Sequence, residues 1–229
     1  MSLADKLTTA AENVQRVYDA GYEKGKAEGG GGIDYDAFWD RYQGAEDGGE
    51  PSHYFYAFFN NRFDDETYNP KHDIVCSDKY DSAWYMFQNN TKITSTKVPI
   101  DVTRTKEIRY IFGCSEPPER SKLETIVELK VSENNTFTSA FALLYALKNI
   151  KITGTIANTL SFKWSPLTKA SILSIYDALS TNATGQTVTF KQSAVNAAFE
   201  TSAGAKDGST SAEWAALKAT KPNWTIALG

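Results

Sequence analysis

The sequence predicts an α/β fold: an N-terminal coiled-coil helix, then a short solenoid of parallel strands, then a C-terminal cap. Three observations carry this reading. An apolar seam at heptad spacing opens the chain, four glycines (Gly29 to Gly32) interrupt it, and from Tyr80 onward a unit of phenylalanine, aliphatic residue and short strand recurs. The boundaries that follow are 1–32 for the helical stem and glycine linker, 33–79 for an aromatic-rich helical connector, and 80–229 for the repeat region with its cap.

In the stem, Leu3, Leu7, Ala10, Val14, Val17, Gly21 and Lys24 follow alternating heptad steps, while Asp5, Lys6, Glu12, Gln15, Arg16 and Asp19 fall off the seam. One narrow face is therefore apolar. Such a helix is marginal alone in water, so Leu3, Leu7, Ala10, Val14 and Val17 are expected to form an oligomerisation seam. Folding back onto the main body is the alternative. Gly21, Gly25 and the glycine run each add backbone entropy, so the helix should fray from Tyr18 and end in a swivel.

After the swivel, Tyr35, Phe38, Trp39 and Tyr42 share one helical face, and Gly44 is placed to end that helix. The stretch from His53 to Pro70 is apolar nearly all round, broken by Asn60, Asn61 and Pro70, and reads as a buried connector. Aromatics this dense more often fill a core or a subunit contact than stack on sugar, which is their other use.

In the repeat region, Phe87, Phe112 and Phe141 are each followed by an aliphatic residue (Ile93, Leu123, Leu147) and then by alternating apolar positions ending in a strand. The insertion CSEPPERSK, Cys114 to Lys122, lengthens the second unit. Strands at Leu129 to Val131 and Ile150 to Ile152 lie about twenty-one residues apart, a solenoid period. Units so short cannot bury their own apolar faces, so neighbours are expected to stack and pair in parallel. A chance recurrence within an ordinary α/β domain is the alternative.

In the final third, Pro166 and Thr168 open a helix with Ile172, Ile175, Tyr176 and Leu179 on one face. Thr187 to Phe190 reads as a strand, and a short helix begins at Ser193. Thr210 to Glu213 reads as a capping box for a helix bearing Trp214 and Leu217. A closing strand through Trp224, Ile226 and Leu228 is expected to cover the open sheet edge.

The 229 residues are 41% hydrophobic and 23% charged, enough for a sizeable core. A net charge of -4 and pI near 5.3 argue against a nucleic-acid partner. No long apolar run predicts membrane insertion, and the N-terminus lacks the pattern of a secretory signal, so synthesis in the cytoplasm is expected. Cys76 and Cys114 read as free thiols. His72, Asp73 and Cys76 are close in sequence but not at ligand spacing, and a loop histidine is the favoured reading, with no metal or cofactor expected. Asp64, Asp65 and Glu66 could supply a glycosidase carboxylate pair, though runs of acids are more often solvated. No nucleophile, phosphate-loop or zinc motif occurs.

The opening SLADKLTTAAENVQRVYDAGYEKGKAEGG, the DAFWDRYQ segment, and SFKWSPLTKASILSIYDALS with TVTFKQSAVNAAF together resemble a family of phage and prophage structural proteins of Gram-positive bacteria. That family joins a helical stem to leucine-rich repeats similar to bacterial surface-antigen repeats. The resemblance covers nearly the whole chain and implies a leucine-rich-repeat-like solenoid in a virion tail or baseplate component, of tail-fibre or receptor-binding type, rather than an enzyme. Pro117, Pro118 and the low leucine content depart from the tidy repeat. The implied partners are copies of the chain, with a homotrimer favoured, other tail or baseplate proteins, and a receptor on the host surface. A polysaccharide-degrading tailspike and a bacterial surface adhesin are the alternatives. Binding residues are expected in two loops, at Ser115, Glu116, Glu119 and Arg120 and at Lys206 and Asp207, against the plain reading that both are solvated turns.

Overall fold

The structure, a computed structural model, describes residues 65–66, 68–76, 82–88, 90–114, 121–199 and 208–229. The predicted stem, the glycine linker and most of the connector lie outside the described residues. The rest is a mixed α/β fold with parallel strands in two sheets and three helices.

The first sheet has the order β1 (Ile74–Val75), β2 (Ile100–Asp101), β3 (Thr125–Val131), β4 (Asn149–Gly154), every pair parallel. The second has the order β5 (Leu160–Phe162), β6 (Gln186–Phe190), β7 (Trp224–Leu228), also parallel. Each strand therefore neighbours the next one in its sheet. Between them lie α1 (Lys169–Ala178), α2 (Gln192–Ala198) and α3 (Ala212–Ala219). Strand β1 pairs with β2 across the boundary drawn at residue 80.

Outside the named strands, the same rule of pairing continues. Ala83, Tyr85 and Phe87 donate their N–H groups to the carbonyls of Glu107, Arg109 and Ile111, and Ile108, Tyr110 and Phe112 donate to Thr136, Thr138 and Ala140. Corners are held by asparagine. The Asn135 amide donates to the carbonyls of Val102 and Thr105, and the Asn223 amide donates to those of Ser180 and Ala183.

The core is a row of rings. Phe87, Phe112, Phe141, Phe162 and Phe190 stack in sequence at centroid separations of 5.4, 6.0, 4.3 and 6.3 Å. Tyr68 closes one end edge-on to Phe87, and Trp214 closes the other edge-on to Phe190 and Tyr176. Ile93, Leu123 and Leu147, the aliphatics that follow the first three phenylalanines, are all buried.

Three details replace what the sequence predicts. Ile126 pairs with Ile150 and Leu129 with Ile152, so the strands at Leu129 to Val131 and Ile150 to Ile152 are not in the register that a period of about twenty-one assumes. A bulge between Ile126 and Leu129 breaks the two-residue alternation, burying both and leaving Val127 38% exposed. At α3 the capping hydroxyl is Ser211, accepting from the Trp214 N–H at 3.1 Å, because Thr210 already belongs to a 3-10 turn. The closing strand β7 joins the second sheet, whereas the edge of the first, at β4, is covered by α1. Ser171 and Ser174 of that helix accept from the Ile150 and Ile152 N–H groups, 2.9 Å each, and donate to the carbonyls of Lys148 and Ile152.

Gly154 ends β4 at a φ of +94°, and a side chain there would run into the Val131 carbonyl on β3, so only glycine fits.

Candidate functional site

Every residue that the sequence singles out for oligomerisation or binding lies outside the described residues: Leu3, Leu7, Ala10, Val14 and Val17 in the stem, and Ser115, Glu116, Glu119, Arg120, Lys206 and Asp207 in the two loops. The chemistry visible on the described surface sits elsewhere, in two aromatic and cationic clusters.

The first forms where Tyr85 and Tyr110 each take a left-handed conformation two residues before a ladder phenylalanine, with φ of 58° and 50°. Such a conformation costs a side-chain-bearing residue roughly 1–2 kcal/mol. Their rings stack at 5.5 Å and are half-buried. The Arg109 guanidinium lies 5.2 Å from the Trp84 ring centre and 5.9 Å from that of Tyr110. Trp84 in turn donates its indole N–H to Glu107 at 3.0 Å.

The second cluster follows Phe162 directly. Trp164 and Tyr145 are both half-buried, their rings 5.3 Å apart and tilted by 40°, and the Lys163 ammonium sits 4.8 Å from the indole centre. The position is rigid at its root, because Phe162 is wedged between Phe141 and Phe190 and its carbonyl accepts from the Ser165 N–H.

The outer face of the first sheet is a lattice of ion pairs: Lys130 with Asp73 at 2.6 Å, Lys148 with Glu124 at 3.2 Å, and Lys151 with Glu128 at 3.3 Å. The hydrogen bond that the Lys130 ammonium donates to the Asp73 carboxylate raises its pKa above the ordinary value. These groups are exposed enough that each pair is worth little by itself.

His72, Asp73 and Cys76 do not come together as one site. Asp73 is committed to Lys130 at the surface, while Cys76 is buried beside the Met86 sulfur at 3.8 Å. Burial, and then the Asp101 carboxylate, push that thiol upward, leaving it protonated and inert. Neither cysteine is in a disulfide. Of the acidic run, Asp65 is spent on structure, accepting from the Thr94 N–H and hydroxyl at 2.8 and 2.5 Å. Among the described residues, no group of three or more His, Cys, Asp and Glu could hold a metal ion.

Sequence reasoning passed over Arg109, Tyr110, Tyr145, Lys163 and Trp164. The signal was present as a basic residue beside an aromatic one, RY just before Phe112 and KW just after Phe162. No described helix is long and apolar enough to cross a membrane. Comparison of the chain with protein-family models, curated proteins and solved structures finds no match.

Proposed function

We propose that the chain is a non-enzymatic structural and adhesive component of a phage tail or phage-tail-like particle, a tail fibre or receptor-binding baseplate protein. An oligomeric stem carries a leucine-rich-repeat-like solenoid head, and the glycine run lets the head swivel. The observation that carries the reading of the head is the row of rings from Phe87 to Phe190, one contact repeated along the stack. A stack held by nearest-neighbour contacts can lengthen and vary its loops without a new core, which suits a protein that displays binding groups. The particle setting rests on the resemblance of the stem and of the segment from Ser161 to Phe199.

The test uses purified full-length chain as a competitor for adsorption of the particle to host cells, with a chain starting at Ile33 alongside. Light scattering is expected to give a trimer for the first and a monomer for the second, and only the trimer should block adsorption strongly. A monomeric full-length chain that leaves adsorption unchanged overturns the proposal. Replacing Ser115 to Arg120 and Thr201 to Asp207 each with a Gly-Ser linker, which spares buried Cys114 and the capping Ser211, then asks whether the loops make the contact.

A further inference from the structure

We infer that Trp164, Tyr145 and Lys163 form a binding site for an anionic saccharide, a pyranose ring carrying a carboxylate or phosphate. Three features separate this cluster from ordinary surface aromatics. First, two large rings stand half open on the surface although their neighbours Leu144, Leu147, Phe162 and Ser165 are buried, so they are presented on a fixed base. Second, neither the Trp164 indole N–H nor the Tyr145 hydroxyl makes a hydrogen bond among the described residues, whereas the indoles of Trp84 and Trp224 donate to Glu107 and to the Ser180 carbonyl. Third, Lys163 has no carboxylate partner among the described residues and its ammonium rests over the indole face, whereas Lys169, which lies over the Phe199 ring, is paired with Glu213.

The chemistry follows from those three. An indole face is the negative side of the ring quadrupole and attracts the electropositive C–H face of a pyranose. The ammonium now resting over that ring is held weakly, as exposed cation–π contacts are, and its flexible stem lets it swing toward an anionic substituent. The idle N–H and hydroxyl are then available to sugar hydroxyls. An uncompensated cation selects for negative charge, and the ring selects for a sugar over a bare anion.

This assignment names the ligand class for the surface contact proposed above. Its test runs on purified chain, so it succeeds or fails independently of whether the chain sits on a particle. Binding of the full chain to polygalacturonate, to phosphomannan and to neutral dextran would be measured by calorimetry. At least one anionic polymer is expected to bind at least about tenfold more tightly than dextran. Trp164→Ala should weaken that binding about tenfold or more, Lys163→Gln should abolish the preference over dextran, and Trp164→Phe, which keeps a ring, should retain part of the affinity if the alanine variant folds poorly. Carboxylate and phosphate sources are separated by which polymer binds. Equal binding of dextran, binding of none of the three, or anionic binding that survives both Trp164 variants overturns the assignment.

Discussion

The first four strands and the last third of the chain solve one stacking problem with different parts. Up to β4, the strands join the first sheet one after another; beyond it, α1 and α3 occupy the stretches that precede β6 and β7. Yet the ring row runs straight through the change, with Phe162 stacked on Phe141 before it and Phe190 after it. The asparagine corner also survives, Asn135 gripping two carbonyls thirty-three and thirty residues back and Asn223 gripping two that are forty-three and forty residues back. What the fold repeats is a ring and a corner. The element between them is free to be strand or helix, provided its backbone groups are satisfied.

The largest effect on this shared architecture is expected from alkali, which attacks both regions together. Tyr68 at one end of the row, Tyr176 at the other, and Cys76 beside β1 are all raised above their ordinary values by burial. Each holds its proton more tightly folded than unfolded. Their contribution is therefore complete below the unfolded values, 9.0 for the thiol and 10.0 for the phenols, and is lost as pH rises beyond them. Urea midpoints should fall steeply above about pH 9, by the same linkage. A midpoint that stays flat to about pH 11 would mean the two phenols are not buried as described.

Next comes the joint itself. Phe162→Ala removes the ring that couples the strand-built and helix-built regions and is expected to cost about 3–5 kcal/mol. Chemical denaturation monitored by far-ultraviolet circular dichroism and by tryptophan fluorescence checks it. Coincident transitions in the wild type that separate in the variant would sharpen the comparison. Trp224→Ala belongs to the same class, about 3–5 kcal/mol, since Trp224 is buried and its indole donates to the Ser180 carbonyl at 2.8 Å.

Much of this was legible in the residues. Phe87, Phe112 and Phe141 and their following aliphatics announce the row because apolar residues recurring at a fixed place must share a core. The α1 face and the β6 and β7 strands follow from local periodicity. The bulge at β3 was not legible, because it depends on which residue of a neighbouring strand lies opposite. Nor were the serine bonds from α1 to β4, since a helical serine reads the same whether it faces solvent or a sheet edge. The aromatic and cationic clusters were half legible: their residue pairs stand in the sequence, but only the stack brings Tyr145 to Trp164 and Arg109 to Trp84.

A smaller effect is expected at the asparagine corner of the strand-built region. Asn135→Ala leaves the Thr105 carbonyl without its buried donor, while the Val102 carbonyl keeps the Thr105 N–H and hydroxyl, and should cost about 1–3 kcal/mol, read as a lowered urea midpoint. If the residue were only a surface turn former, the loss would be a few tenths at most, as at ordinary exposed sites.

The smallest effects separate two serines that look alike. Ser171 is 3% exposed and both accepts from the Ile150 N–H and donates to the Lys148 carbonyl. Ser165 is fully buried, and its hydroxyl has no partner among the described residues. Ser171→Ala uncovers a strand edge and is expected to cost about 1 kcal/mol, with more aggregation when Ser174→Ala is added, because an uncovered edge is a template for another chain. Ser165→Ala instead removes a hydroxyl whose burial is uncompensated, so stability should hold or rise by up to about 1 kcal/mol. The backbone bonds of Ser165, to the Phe162 carbonyl and from the Leu167 N–H, are untouched by the change. Equal destabilisation by the two substitutions would mean that α1 merely rests against β4, and that the switch from strand to helix needs no special hydrogen bonding to hold the edge.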